Sequence, residues 1–482
     1  MQREILNAFK WGFIGKISNQ LVGFIITVIL ARLLVPEDFG LLAMIVAFSS
    51  LVSGFVNLGF SSAIIQAKQI DKKELSTIFY LNIIIGIFIA LFFFSSAAFI
   101  ADFYNDERLI SISKVFSLTF LINSVGLVSF ALLERKLKFK EIMVINLISG
   151  FLSGSIGLIL AYTGFGVWSI LFQSLFNEFF KSILAIYFSK YIPLLYFKIN
   201  LLKKLWSFGG PLFLSGLVNS IFSKIDYLVI GKFFPPSLLG LLYRAKSFRT
   251  LIMRYSSDSL GKVLFPIFSK KQEDIIWVSN SVSLSLKVSF YLIAFISSLL
   301  FLVGDEMFVI LFSEKWIGAV PYFKVLILSS VTFPMITILG NVLIGLGDSK
   351  RFLFLDTFEK IGLLVGLGLA IYKNNLMLYL YTDLIVRVIA VVIFYVRVNK
   401  ILIINNKNIL ISFFSSIIIL TLSFSFVHLF LSMLSIENIW LIATFKGIVF
   451  ISFFYLISEI DQLMQNESNL FLIKSFKTNY KS

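Results

Sequence analysis

Five ionisable residues, Arg244, Lys246, Arg249, Arg254 and Asp258, lie in one stretch that is otherwise apolar enough to cross a membrane. An ionised group in hydrocarbon costs about 3 kcal/mol even on lenient insertion scales, so a cluster of them asks for a ligand, a partner or an ion path. Arg254 and Asp258 stand at i, i+4 and can pair. Arg244, Lys246 and Arg249 have no acid at helical spacing within the stretch. Basic groups of this kind suit phosphate or an acidic sugar. Two readings fit: a water-filled cavity that takes an anionic head group, or outward snorkelling by Arg244 and Lys246 beside a local Arg254–Asp258 pair. Other chemistry is scarce. Cys is absent, which excludes disulfides, thiolate metal sites and cysteine nucleophiles. The single His, His428, cannot build a His-based metal centre or triad. No phosphate-binding loop of the G-x-x-x-x-G-K-S/T type occurs; Gly12–Lys16 lacks its spacing. No catalytic residue, metal or cofactor is expected.

Further polar residues recur at helical spacing on four stretches. The first carries Gly12, Lys16, Asn19, Gly23 and Thr27; the second Ser50, Ser53, Asn57 and Ser61. The seventh carries Ser215, Asn219, Ser223 and Asp226, and the eighth Lys246, Thr250, Met253, Ser257 and Gly261, with Arg254 at the margin. Small and hydroxyl residues also favour close helix packing, so the stripes read either as packing seams or as wetted faces. The residues expected to meet a substrate are Lys16, Asn19, Asn219, Lys246, Arg249 and Arg254. Asp226 and Asp258 are the acids expected to couple an ion. Lys16 can equally snorkel to the inner surface. Asp356 with Lys360, Asp383 with Arg387, and Glu178 with Lys181 read as pairs within one helix.

The elements that must hold these groups are membrane helices. Of 482 residues, 58% are hydrophobic and 14% charged, where a soluble chain carries about a quarter charged. No soluble interior could hide that much apolar surface. A span needs about 20 apolar residues. That ruler predicts fourteen, at 11–34, 38–64, 77–101, 109–133, 142–163, 165–188, 205–230, 237–265, 280–303, 321–346, 352–371, 376–396, 409–434 and 437–458. Runs such as Ile83–Phe94 are apolar at every position, unlike the alternation of a barrel strand. The fold class is therefore all-α integral membrane. The polar lead Met1–Lys10 has no small-residue cleavage site, so no signal peptide is expected.

The net charge of +16 would suggest nucleic acid in a soluble protein; here loop placement explains most of it. With a cytoplasmic N-terminus, 23 of the 42 basic residues fall inside, against Arg32, Arg108, Lys232, Lys315 and Lys373 outside. Both termini are then cytoplasmic. No connection is long enough for a soluble domain.

The chain resembles itself at a shift of 200 residues. Asn19, Ile25, Pro36, Gly40, Leu41, Leu42, Phe48 and Leu51 meet identical residues at Asn219, Ile225, Pro236, Gly240, Leu241, Leu242, Phe248 and Leu251. Span 1 maps onto span 7 and span 2 onto span 8. Each half holds six spans in the same orientation, a transporter arrangement with substrate between the halves. The expected divisions are 1–200 and 201–400 for the two six-helix lobes, 401–458 for two additional spans, and 459–482 for a cytoplasmic tail. The repeat mates of Arg244, Lys246, Arg249, Arg254 and Asp258 are Met44, Val46, Ser49, Gly54 and Leu58, all uncharged. The shared scaffold does not need the charge.

Several stretches resemble the Wzx-type lipopolysaccharide-biosynthesis polysaccharide transporters of the multidrug/oligosaccharidyl-lipid/polysaccharide (MOP) exporter superfamily. They are Ile29–Gly40 (ILARLLVPEDFG), Gly59–Gln66 (GFSSAIIQ), Ala101–Tyr104 (ADFY), Gly164–Trp168 (GFGVW), Ile230–Phe234 (IGKFF), Leu242–Lys246 (LYRAK), Val263–Pro266 (VLFP) and Glu314–Trp316 (EKW). The likeness covers about residues 1–400 and is most specific in the first 320. Where the family typically reads Tyr-Ser-Arg-Ala-Lys, this chain has Leu242-Tyr-Arg-Ala-Lys246, so the basic pair is kept and one hydroxyl is lost. The resemblance implies a V-shaped, MATE-like fold of two six-helix lobes, with spans 1, 2, 7 and 8 lining the cavity. It implies flipping of an undecaprenyl-pyrophosphate-linked oligosaccharide to the outer leaflet of the bacterial cytoplasmic membrane. Alternating access would be driven by H+ or Na+, and a polysaccharide polymerase and chain-length regulator would be neighbours. Alternatives are a lipid II-type flippase or a multidrug antiporter, whose cavity should be acidic or aromatic. A membrane polymerase or ligase would need a large outer loop with catalytic groups, which this chain lacks.

Overall fold

A computed structural model describes residues 2–57, 60–67, 69–198, 224–402, 421–422, 424–427, 429 and 438–464. Asn219 and His428 lie outside the described residues, as does the side chain of Asp258. Every regular element among the described residues is helical. Seven helical runs there are long and apolar enough to cross a membrane, including Lys10–Leu33, Lys72–Ser95, Phe139–Tyr162, Ile275–Leu302 and Leu376–Asn399. The chain is a multi-pass membrane protein. Side chains such as Phe88, Phe92, Phe151, Leu292 and Ile385 stand exposed on these helices, as expected of a surface solvated by lipid tails.

The described helices divide into two compact units, residues 1–243 and 244–482. The first holds α1 (Gln2–Leu33), α2 (Pro36–Asn57), α3 (Phe60–Gln66), α4 (Lys72–Ser95), α5 (Ala97–Tyr104), α6 (Arg108–Phe116), α7 (Leu118–Arg135), α8 (Phe139–Tyr162), α9 (Val167–Ser189) and α10 (224–233). α8 packs on α1 and α9, and α7 on α4 and α9. Asp71 starts α4 by accepting the Glu74 amide while the Glu74 side chain takes the Asp71 amide, so two orphan N–H groups are satisfied reciprocally. The predicted third span breaks at Ser96, whose hydroxyl donates back to the Phe92 carbonyl.

The repeated Pro-x-x-x-Gly turn explains itself in this unit. A Cβ on Gly40 would sit 1.8 Å from the Pro236 carbonyl oxygen, and one on Gly240 would sit 1.7 Å from that of Pro36. The two copies of the turn therefore cross with backbone against backbone, and only glycine fits either position. Tyr104 of the ADFY stretch is buried beside them and donates to the Met44 carbonyl.

α11 (Pro236–Lys270) begins at that crossing and runs into the second unit. There follow α12 (Ile275–Leu302), α13 (Gly304–Phe312), α14 (Val320–Ser329), α15 (Thr332–Gly345), α16 (Ser349–Tyr372), α17 (Leu376–Asn399) and α18 (Ile439–Met464). The predicted tenth span is two helices, α14 and α15. Pro334 has no amide to donate to the Ser330 carbonyl, which leaves the ladder one bond short where the two helices part. The core joins Phe268 of α11, Val282 and Leu286 of α12, Ile338 and Val342 of α15, and Phe394 of α17. α16 and α17 close tightly because Gly362 faces Val386 and Gly366 faces Thr382. That close approach carries Glu359 to Arg387.

Candidate functional site

Arg244, Lys246 and Arg249 of α11 face inward within the second unit. Lys246 is 4% exposed and Arg244 3%, so neither snorkels out of the packed helices. The Arg244 guanidinium stacks over the rings of Phe312 and Trp316, at 5.1 and 5.4 Å. Lys246 stands 5.4 Å from the centre of the Tyr379 ring. Arg249, one turn on, donates to Asp383 of α17 at 2.8 Å. The same carboxylate accepts from Arg387 Nε at 3.0 Å, and Arg387 also donates to Glu359 of α16 at 2.6 Å. Phe333 of α15 packs under both guanidinium groups, with centroid distances of 5.6 Å to Arg249 and 4.3 Å to Arg387. Lys246 lies within electrostatic reach of Asp383 as well.

This chain of groups, Arg249–Asp383–Arg387–Glu359, spans three helices and is almost wholly withdrawn from its surroundings. Pairing within α17 is legible at i, i+4. The link from Arg249 to Asp383 crosses 134 positions, so helical spacing cannot show it. Glu359 was hidden in the same way. The signal that could have found both is electrostatic: basic groups buried on one helix must find acids on others, because an unpaired buried charge is far costlier than a paired one. Lys360 with Asp356 at 2.7 Å and Lys181 with Glu178 at 3.3 Å are observed as read.

The other expected residues lie elsewhere. Arg254 is exposed two turns along α11 from Lys246. Lys16 and Asn19 are exposed on α1 in the first unit. Asp226, half-buried on α10, accepts the Tyr227 amide at 2.8 Å. The structure therefore brings together Lys246 and Arg249 around Asp383. Among the described residues no group of His, Asp or Glu is arranged to hold a metal ion.

A family profile described as "Polysaccharide biosynthesis protein" matches residues 29–321. The chain belongs to the polysaccharide biosynthesis protein family. Among relatives of this family member, the teichuronic acid biosynthesis protein TuaB of Bacillus subtilis is 25% identical over 381 residues, covering 77% of this chain and 76% of TuaB. The lipopolysaccharide biosynthesis protein WzxC of Escherichia coli is 24% identical over 336 residues, covering 68% of this chain and 67% of WzxC. The fold is similar to that of the lipid II flippase MurJ, in a solved structure of its inward closed conformation. That likeness has a TM-score of 0.75 and covers 95% of this chain and 99% of MurJ, at 16% identity. The polysaccharide biosynthesis family match ends at residue 321, so Lys246 and Arg249 fall inside it and Glu359, Asp383 and Arg387 beyond it.

Proposed function

We propose that this protein flips an undecaprenyl-pyrophosphate-linked oligosaccharide from the inner to the outer leaflet of the bacterial cytoplasmic membrane, for surface polysaccharide assembly. The observation that carries this reading is the buried cationic face of α11, Lys246 with Arg249, in a member of a polysaccharide biosynthesis family. Two such groups can hold a pyrophosphate through charge-assisted hydrogen bonds that a neutral packing seam could not make. Arg254, exposed two turns on, extends the positive face toward the sugar. Lys16, Asn19 and Asn219 serve as substrate contacts from the repeat-related helices. The lipid tails stay in the bilayer while the head group crosses.

The architecture that goes with this function is fourteen spans, with 1–200 and 201–400 as alternating-access lobes. Residues 401–458 add two spans, 459–482 form a cytoplasmic tail, and both termini are cytoplasmic. An H+ or Na+ gradient drives the cycle, with Asp226 and Asp258 as coupling acids. The polymerase and chain-length regulator that consume such a product act beside it. A lipid II-type substrate would present the same pyrophosphate and is the second reading, favoured by the MurJ-like fold.

The test is replacement of the chromosomal copy by Lys246→Ala, Arg249→Ala or Arg254→Ala. Each is expected to lower surface polysaccharide severalfold while the protein still inserts. Normal polymer from all three overturns the reading. Flipping of an undecaprenyl-pyrophosphate-linked sugar in proteoliposomes that ignores both proton and sodium gradients overturns the coupling.

A further inference from the structure

Between α7 and α9 of the first unit lies a cleft of about 230 Å³, lined also by Ser61 of α3. The two helices touch beside it: a Cβ on Gly126 would sit 2.4 Å from the Ser182 hydroxyl, which donates to the Ile122 carbonyl at 2.9 Å. Along α7, Asn123, Leu127, Phe130 and Glu134 share one face at i, i+4, i+7 and i+11. α9 answers with Glu178 and Lys181. The Asn123 amide donates to Glu178 at 2.9 Å, and Lys181 donates to the other oxygen of Glu178 at 3.3 Å. Glu134 makes no hydrogen bond or ion pair among the described residues. Arg135, next in sequence, turns instead to the Ile64 carbonyl.

This cleft is wet. Asn123 is exposed on a run long and apolar enough to cross a membrane, and Glu178 and Lys181 are 28% and 31% exposed. Ionisable groups at membrane depth face the bundle interior or a water-filled space, because lipid tails offer them no partner. α9 turns a different side to the tails. Its exposed apolar residues Phe179, Ile183 and Tyr187 recur at i, i+4 and i+8, and helical spacing puts Glu178 and Lys181 on the opposite side.

The lining combines carboxylate acceptors, an ammonium donor and a hydroxyl with the apolar surface of Leu127 and Phe130. A sugar ring presents the complement, hydroxyls around its edge and C–H groups on its face. The volume falls below the roughly 300–1,000 Å³ of clefts that take drug-sized ligands, so it suits one ring rather than a whole repeat unit. Two carboxylates face one ammonium, and the surplus negative charge repels an acidic sugar. We propose that this cleft receives one neutral pyranose ring of the cargo, with Glu134 and Glu178 accepting from its hydroxyls and Lys181 donating. This rests on the lipid-linked oligosaccharide reading above and names the sugar class that one site takes.

The test measures what a sugar adds to binding. The full chain in detergent would be titrated with farnesyl pyrophosphate and with farnesyl pyrophosphate carrying glucose, galactose, N-acetylglucosamine or glucuronic acid. At least one neutral sugar should raise affinity about tenfold or more, the worth of two or three neutral hydrogen bonds, and glucuronic acid should not. Glu134→Ala should erase that gain. The quantity read is the ratio of the two affinities, so a general loss of binding cancels. No gain from any neutral sugar, an equal gain from glucuronic acid, or a gain that survives Glu134→Ala overturns the inference and leaves the pyrophosphate reading standing. Sugar-bearing probes that bind regardless of Lys246→Ala, with the gain still lost in Glu134→Ala, overturn the pyrophosphate reading and leave the cleft. Binding of none of the probes overturns both. Should Glu134→Ala fail to fold, Leu127→Cys decides in a chain otherwise free of thiols. A neutral sugar probe should slow its labelling by a water-soluble maleimide severalfold beyond farnesyl pyrophosphate alone, and equal labelling overturns the inference.

Discussion

Asp383 holds two guanidinium groups from two helices, so its removal leaves two cations buried together. Breaking a buried pair by deleting one partner costs about 3–5 kcal/mol, because the remaining charge is uncompensated. Asp383→Ala should therefore lower the detergent melting temperature by many degrees. The double variant Asp383→Asn/Arg249→Gln, which removes one charge of each sign, should recover much of the loss. Equal destabilisation in both would mean that side-chain volume matters here more than charge. The same residue marks how far spacing reaches. Its partner Arg387 is one turn away and was legible, whereas Arg249 and Glu359 are neighbours only once α11, α16 and α17 pack. The basic residues of α11 were legible as anomalies because their repeat mates are neutral; their counterions were not.

At the scale of elements, the crossing of α2 and α11 is where sequence and structure meet most directly. Gly40→Ala must push a methyl into the Pro236 carbonyl, a contact under 2 Å that no rotamer change relieves. Overpacking of this kind costs about 1–3 kcal/mol or more. Gly368→Ala on α16 has open space around it and gains helix propensity, so it should be neutral or slightly stabilising. Melting curves of the two variants measure the contrast. Helix positions were legible because apolar length is a coarse, robust signal. Breaks inside them were not, since Ser96 and Pro334 interrupt the backbone without interrupting hydrophobicity. Outside the apolar runs, the turn from α5 to α6 is latched by Arg108, which donates to both Asp106 and Glu37. The hydrogen bond from Arg108 holds the Asp106 carboxyl below the usual range. Because that shift is downward, its stabilisation is present at neutral pH and lost as pH falls through the lowered folded value. Hydrogen exchange at Leu109 and Ile110, corrected for the intrinsic rate, should stay protected to mildly acidic pH in the wild type. It should rise already at neutrality in Asp106→Asn.

For the whole molecule, the loop charges predict orientation. The absence of Cys makes this directly measurable, because any introduced thiol is the only one present. Lys136→Cys should react with an impermeant maleimide only after permeabilisation, and Lys373→Cys in intact cells; both side chains are exposed. The opposite pattern would invert the chain. Docking of the C-terminal helix belongs to this scale too. Lys446 of α18 reaches Glu306 of α13 at 2.7 Å and the Leu302 carbonyl at 3.3 Å. Charge thus joins α18 to the second unit. The excess of basic residues, and its division between loop charge and a cluster on one span, was legible in the sequence; that Arg244 and Lys246 are buried needed the helices in place.

The reciprocal glycine contact has one more consequence. Each of the two matching turns is the other's steric environment. A larger residue in either turn meets the carbonyl of the opposite copy, so neither copy can drift alone, whatever happens to the rest of its helix. That accounts for the identities clustered around Pro36–Leu42 and Pro236–Leu242, while a few turns further on Ser49 and Arg249 have parted. Away from that one self-contact the two matching stretches are free to differ, and the charge on α11 is where they do.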